Sequence, residues 1–266
     1  MTTAVPFWTV EPRHVQLAML AMIRLSAFLV LVPPFQTSMV PVVVRVGLAF
    51  ALLFLVWTPL AAAAPPVAGD LVALGGLAVG ELLVGAAIGL AARLVVAAAS
   101  FAAELVSIQM GFGLAALLDP LNGEQAGVLT RLFDWTVMLV FLALDGHHLL
   151  IGATVESFRL VPPGGLVHAA AGAATLLSLG GRMFGVGVAL VAPAIGVLFL
   201  ANVVLVLVTR AVPHLNLMAV AFPILIPLGL AMTIVNLDLL AGLMGGEIRR
   251  LDGVLATLLR SLAHGR

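Results

Sequence analysis

The sequence predicts an all-α, polytopic membrane-associated protein, and composition and the length of its apolar runs are the observations that predict it. Of 266 residues, 63% are hydrophobic and only 9% are charged, whereas ordinary soluble domains carry about 25% charged residues. The mean hydropathy is +1.25. Several apolar runs reach the length of about 20 residues that a membrane-spanning helix needs. A soluble globular fold is therefore excluded.

The apolar runs define the elements in chain order. Three of them are long enough to hold two helices each, so we expect about six to eight helices. The connections are rich in proline and glycine, which end or kink helices. The runs are Val15–Val32, Val46–Ala64, Leu71–Leu118, Val128–Val161, Leu166–Val208 and Leu217–Gly246, and the expected breaks include Pro33–Pro34, Asp145–Gly146, Pro162–Gly165 and Gly180–Gly181.

The charged and reactive residues exclude several classes of function. All twelve basic residues are arginine and the net charge is zero, so the chain lacks the broad basic surface of a nucleic-acid binder. Cysteine is absent, which excludes thiolate metal sites and cysteine nucleophiles. The adjacent His147 and His148 are expected to point to different sides of a helix. With no recognisable catalytic motif, we predict no enzymatic activity, no cofactor and no metal.

A polar stripe interrupts the apolar stretch from Gly80 to Pro120. A charge at bilayer depth costs roughly 2.5–3.5 kcal/mol on insertion scales, so such groups normally face protein or a wet cavity. At about 100° per residue, four side chains share one helix face, here called the polar seam: Arg93, Ser100, Glu104 and Ser107. The polar seam either makes contacts inside the chain or faces water or a partner subunit.

Two further charges lie within apolar runs. Glu81 follows Gly80, and Arg24 lies between Ile23 and Leu25. Arg24 needs a carboxylate or carbonyl partner, either in this chain or in another subunit. We group Arg24 and Glu81 with the polar seam as candidate subunit contacts.

Two glycines flank a phenylalanine where this stretch ends. Glycine costs roughly 0.5–1 kcal/mol inside a helix, so Gly111 and Gly113 predict a bent segment. Irregular backbone at membrane depth survives only inside protein or beside a cavity. The segment either packs in a core or forms a gating loop, in which the adaptable side chain of Met110 and the ring of Phe112 could seal a pore.

The C-terminal segment from Glu247 to His264 is amphipathic. One face is apolar and the other is largely polar, so the helix lies on the membrane surface or docks on a partner. The arginines of the tail place it in the cytoplasm by the positive-inside tendency. The apolar face comprises Ile248, Leu251, Leu255, Leu258 and Leu262, and the opposite face carries Arg249, Asp252, Thr257 and Arg260.

A series of short motifs runs along nearly the whole chain in a specific order. They are Arg24-Leu25-Ser26, Pro33-Pro34-Phe35, Pro41 with Arg45-Val46-Gly47-Leu48-Ala49, Gly80-Glu81 with Gly85 and Gly89, Gln109-Met110-Gly111, Asp119-Pro120, Gly146-His147, Leu160 with Pro162, and Leu215-Asn216 with Phe222-Pro223. This order resembles the FliR family of flagellar protein-export gate components, called SctT in injectisomes. Asp145 stands where the family often has Asn.

The resemblance implies a subunit that assembles with FliP and FliQ into an export gate of the bacterial inner membrane, at the flagellar basal body. It implies contact with FlhB, a nearby FlhA, membrane lipid, and unfolded flagellar proteins as cargo. It further implies a FliP-like portion at residues 1–165, a FliQ-like helical hairpin at 166–245 and a cytoplasmic tail at 246–266. The loop at 110–117 corresponds to the segment that plugs the closed pore.

We therefore predict a non-enzymatic subunit that helps to form and seal the flagellar type III export channel. In this hypothesis Met110, Phe112 and Leu114 fill the closed lumen, while Gly111 and Gly113 let the loop yield to a passing chain. One alternative is an injectisome export-gate homologue, and another is a small secondary transporter whose coupling residues would be Glu81, Arg93 and Glu104.

Overall fold

The computed structural model describes residues 12–36, 40–62, 70–112, 127–211 and 217–265. Every regular element in these ranges is a helix, so the predicted all-α class is confirmed. In chain order the helices are α1 (Pro12–Leu31), α2 (Pro33–Gln36), α3 (Val42–Ala62), α4 (Leu71–Gln109), α5 (Gly127–Ala143), α6 (Gly146–Leu160), α7 (Ala169–Ala211), α8 (Leu217–Val235) and α9 (Leu237–His264).

Helices α1, α4 and α7 are long and apolar enough to cross a membrane, and up to five spans result if each of two broken helix pairs counts as one. Helix α4 has 39 residues and α7 has 43. At a rise of 1.5 Å per residue these helices measure about 58 and 64 Å, roughly twice the hydrocarbon thickness of a bilayer. Parts of both therefore lie outside the hydrocarbon layer of any membrane that they cross.

Two expected breaks fall where the sequence places them. Asp145, between α5 and α6, has a φ of 55°, a left-handed conformation in which Asp is enriched. After α6, the amide of Gly165 donates to the carbonyl of Pro162 over 2.8 Å and closes a turn. Pro163 takes the second position of that turn and Gly164, with a φ of 81°, the third. This is the residue pattern of a type II turn, whose third position requires positive φ.

The expected break at Gly180–Gly181 is wrong. Helix α7 continues through both glycines and through Pro193. The free energy gained by burying one face of α7 exceeds the free energy that glycine costs inside a helix, about 1 kcal/mol each, and the cost of the backbone hydrogen bond that proline cannot make. That face keeps a single helical phase across the proline and comprises Met183, Gly187, Leu190, Ala194, Leu198 and Leu205.

The chain divides into two compact units, and neither is one continuous segment. Unit 1 consists of residues 1–93, 147–179 and 251–266, and unit 2 consists of residues 94–146 and 180–250. The FliP-like and FliQ-like portions were defined by resemblance to a family, whereas the two units are defined by compactness. The two portions therefore stay a prediction.

Within unit 1, α1 packs against α4 at two glycines. A Cβ atom on Gly85 would overlap the carbonyl oxygen of Arg24. A Cβ atom on Gly89 would lie 2.7 Å from the Cβ atom of Leu31. The two backbones approach this closely because neither glycine carries a side chain, and the approach brings Arg24 directly against α4.

The apolar face of α9 is buried within the chain, so neither the membrane surface nor a partner covers it. All five residues expected on that face are buried, and the four expected opposite them are exposed. In unit 1, Leu262 packs onto Gly172 of α7, and its carbonyl accepts the amide of His168 over 2.9 Å. Helix α9 begins at Leu237, well before the expected start at Glu247.

Gly85→Ala should destabilise the protein, because the new methyl group meets the α1 backbone. Overpacking of this kind costs about 1–3 kcal/mol, so we expect a lower thermal unfolding midpoint in detergent. Gly76→Ala, in the same helix, is the matched control, since a Cβ atom there meets nothing within 4 Å. Equal midpoints for the two variants would contradict the close contact between α1 and α4.

Candidate functional site

Unit 1 contains a buried ion pair. Arg24 of α1 is completely buried and Glu81 of α4 is 3% exposed. The Nε atom of Arg24 donates to Oε2 of Glu81 over 2.7 Å. Its Nη1 atom donates to Oγ of Ser157 over 3.1 Å, and its Nη2 atom to the carbonyl of Val161 over 2.8 Å. One guanidinium group therefore connects α1, α4 and the C-terminal end of α6.

Neighbouring groups complete the surroundings of this pair. The amide of Gly164 donates to Oε1 of Glu81 over 3.2 Å, so both carboxylate oxygens accept a hydrogen bond. The Phe158 ring centroid lies 4.3 Å from Cζ of Arg24, which is cation–π distance. Separating a buried pair leaves an uncompensated charge at low dielectric. The pair therefore requires α1, α4, α6 and the turn after α6 to stay together.

Arg24 and Glu81 are not subunit contacts, and that part of the sequence prediction is wrong. Both side chains are buried inside the chain, where each is the partner of the other. They lie 57 positions apart, so no local spacing rule connects them. Arg24 was expected to need a carboxylate or a carbonyl partner. It has one of each within this chain, the carboxylate of Glu81 and the carbonyl of Val161.

The four polar seam residues differ in exposure. Arg93 and Glu104 are exposed, Ser100 is half-buried, and Ser107 is 1% exposed. Ser107 is therefore enclosed by its own chain, which favours the internal alternative for this member of the polar seam.

In unit 2, two residues of α5 bind the polar seam. Oγ of Ser100 hydrogen-bonds to the carboxylate of Asp134, and Oγ1 of Thr130 donates to Oε2 of Glu104 over 3.3 Å. These contacts favour the internal role that the sequence analysis left open for Ser100 and Glu104. Thr130 and Asp134 were not predicted as partners from the sequence, although their four-residue spacing places both on one face of α5.

The segment predicted to plug a pore begins at a packed helix end in unit 2. Met110 is completely buried, and its side chain occupies the space in which a Cβ atom of Gly229 would lie. Met110 therefore belongs to the core of unit 2, and its assignment as a side chain that fills the closed lumen is corrected. Gly111 has a φ of 93°, the left-handed conformation with which glycine ends many helices. Phe112 is half-buried, and Gly113 and Leu114 lie outside the described residues.

The side chains of His147 and His148 lie side by side and do not point apart as expected. Their ring centroids are 4.1 Å apart. The absence of a metal site stays a prediction.

These helices, packed through glycines and a neutralised buried charge pair, make up a helical membrane protein. The sequence matches the family described as "Bacterial export proteins, family 1" over residues 15–251, from α1 to α9. The match spans most of the chain, so the protein belongs to this family of bacterial export proteins.

The chain is also similar to proteins named flagellar biosynthetic protein FliR. The chain is 30% identical over 220 residues to the flagellar biosynthetic protein FliR of Escherichia coli K12, covering 83% of this chain and 84% of that protein. It is 31% identical over 228 residues to the FliR of Bacillus subtilis, covering 84% and 86%. It is also 31% identical over 228 residues to the FliR of Caulobacter vibrioides, covering 85% and 90%.

Arg24→Met should destabilise the protein strongly, because it leaves Glu81 buried without a counter-charge. Removing one partner of a buried ion pair costs about 3–5 kcal/mol. The double variant Arg24→Met/Glu81→Leu should recover much of this loss, because it buries no uncompensated charge. Thermal unfolding midpoints in detergent measure both effects.

Arg159→Met is the control for this comparison. Arg159 is 71% exposed and lies 3.4 Å from Glu156, and an exposed pair of this kind contributes at most about 1 kcal/mol. A double variant less stable than Arg24→Met alone would contradict the pairing of Arg24 with Glu81.

Proposed function

We propose that this chain is a non-enzymatic subunit of the flagellar type III protein export gate. It would help to form and seal the channel through which unfolded flagellar proteins cross the inner membrane. The proposal rests on the family match over residues 15–251, together with relatives named flagellar biosynthetic protein FliR that align over most of their length. The buried charges of unit 1 suit a structural subunit, because Arg24 and Glu81 neutralise each other.

Exposed apolar surface supports a place among lipid and other subunits. Soluble monomers rarely expose contiguous apolar patches of more than a few hundred Å². We propose that membrane lipid and FliP-, FliQ- and FlhB-like subunits cover this surface, with an FlhA-like subunit nearby, in the inner membrane at the flagellar basal body. The exposed apolar residues include Val42, Val43, Phe50, Phe54 and Leu55 on α3 in unit 1, and separately Phe199, Leu200, Val203, Val204, Val206 and Leu207 on α7 in unit 2.

The pore plug is proposed in a revised form. Met110 holds the start of the loop in the core of unit 2, so the sealing side chains would be Phe112 and Leu114. A large apolar side chain in a narrow lumen excludes water and thereby opposes ion passage. Gly113 would let the segment yield to a passing polypeptide.

Deletion of the gene for this chain in its own bacterium tests the proposed function. We expect loss of motility and of secreted flagellar proteins in the culture medium, both restored by a plasmid copy. An affinity-tagged plasmid copy should also co-purify with FliP- and FliQ-like subunits. Loss of an injectisome's secreted proteins with motility intact would favour the injectisome alternative. Recovery of the chain as a stable monomer that moves a solute on its own would favour the transporter.

Phe112→Ala should make the resting gate leak ions, because it removes the first sealing side chain of the plug. The leak is measured with a voltage-sensitive dye in cells that express the complete set of gate subunits. Phe112→Leu is the matched control, since it keeps a large apolar side chain and should leave the leak close to that of the unsubstituted gate. An unchanged membrane potential in the Phe112→Ala strain, with normal accumulation of the protein, would contradict the plug assignment.

A further inference from the structure

We propose that α7 and α8 anchor the end of α4 through Asn202, Gly229 and Phe222, and that this anchor positions Phe112. All these residues belong to unit 2. The inference rests on the proposed function, because it concerns what holds the plug of the export gate. It adds three positioning residues that lie outside the plug segment itself.

Asn202 bridges α7 and the last turn of α4. Its Nδ2 atom donates to the carbonyl of Leu198 over 3.0 Å, within α7, and to the carbonyl of Gln109 over 3.2 Å. Gln109 is the last residue of α4, and the final carbonyls of a helix have no partner within that helix. The Asn202 amide therefore satisfies a carbonyl at the point where the backbone of α4 stops being helical.

The position of Asn202 supports this role. Its neighbours in α7 are apolar from Val203 to Val208 and from Gly196 to Ala201. A polar amide in such surroundings is costly unless it is hydrogen-bonded. Asn202 uses its amide to reach a different helix, whereas a purely local role would need only the carbonyl of Leu198.

Helix α8 packs against the next two residues, Met110 and Gly111. The side chain of Met110 fills the space above Gly229, where any side chain would displace it. A Cβ atom on Gly111 would lie 2.8 Å from Cε1 of Phe222, so the Phe222 ring packs directly on that glycine. Positive φ and lack of space both favour glycine at position 111.

The contacts together fix the three residues that precede Phe112. Gln109 is held by a hydrogen bond, Met110 by burial and Gly111 by the Phe222 ring, and these contacts come from two different helices. Residues 110 and 111 lie beyond the end of α4. Contacts with α7 and α8 therefore position this part of the backbone, where the regular hydrogen bonds of the helix have ended. A shift of α7 or α8 would therefore move the base of the plug.

Asn202→Leu should raise the resting ion leak of the complete gate severalfold, with secretion retained. The substitution removes the hydrogen bond to Gln109 while keeping a side chain of similar size. Asn236→Leu is the matched control, because Asn236 is also a half-buried asparagine of unit 2, and its Nδ2 atom donates over 2.8 Å to the carbonyl of Met232, four residues earlier in the chain. The control should leave the leak at the level of the unsubstituted gate.

Gly229→Ala tests the same anchor by a second route. The added methyl group displaces Met110 and should also raise the leak, whereas Gly242→Ala should not, since a Cβ atom at Gly242 meets nothing within 4 Å. If Asn202→Leu fails to accumulate, Gly229→Ala decides the question. Unchanged leak in the accumulating variants would overturn the anchor.

The Phe112→Ala strain separates failure of the anchor from failure of the proposed function. A leak in Phe112→Ala without a leak in Asn202→Leu and Gly229→Ala would reject the anchor and leave the plug intact. Absence of a leak in Phe112→Ala would reject the plug and the anchor together. Failure of the unsubstituted chain to restore secretion would reject the gate assignment itself.

Discussion

The buried pair of Arg24 and Glu81 is the interaction on which the arrangement of unit 1 depends. In a chain this apolar, the burial of apolar side chains does little to determine which helices pack together, because a helix surface that faces lipid is as apolar as one that packs against another helix. A buried guanidinium group has few acceptable positions, since each of its donors needs an acceptor. Arg24 finds them on α4, on α6 and at the carbonyl of Val161, and it thereby determines which helix surfaces meet.

The close glycine contacts and the ion pair act together. Gly85 lets α4 approach the backbone of Arg24, and Glu81, one helical turn away, receives the Arg24 side chain. In unit 2 a polar contact and a glycine contact likewise act together at the end of α4. The side-chain amide of Asn202 donates to the carbonyl of Gln109, and Gly229 makes room for Met110. At these two places a polar side chain holds one helix against another or satisfies the end of a helix. Contacts of this kind suit a subunit that is proposed to hold a flexible plug segment in position.

The local features of the fold could be read from the sequence. Helix breaks at Asp145–Gly146 and at Pro162–Gly165 follow from the backbone preferences of Gly and Pro, and the buried face of α9 follows from its helical periodicity. The predicted break at Gly180–Gly181 was wrong because the buried face of α7, which only packing reveals, outweighs the local preference of glycine. The candidate site was harder to predict: Arg24 was identified as a charge that needs a partner, but Glu81, which was grouped with it, was not identified as that partner.

The sequence by itself determined the all-α class, the need of the chain for lipid or partner subunits and its resemblance to the FliR family, because composition, periodicity and motif order are properties of the linear chain. Only the tertiary structure decided which polar groups meet. It paired Arg24 with Glu81, joined Ser100 to Asp134, and moved Met110 from a proposed lumen into the core of unit 2. The physical reason is that the pairing of buried polar groups depends on contacts between residues far apart in the chain, and local spacing contains no information about those contacts.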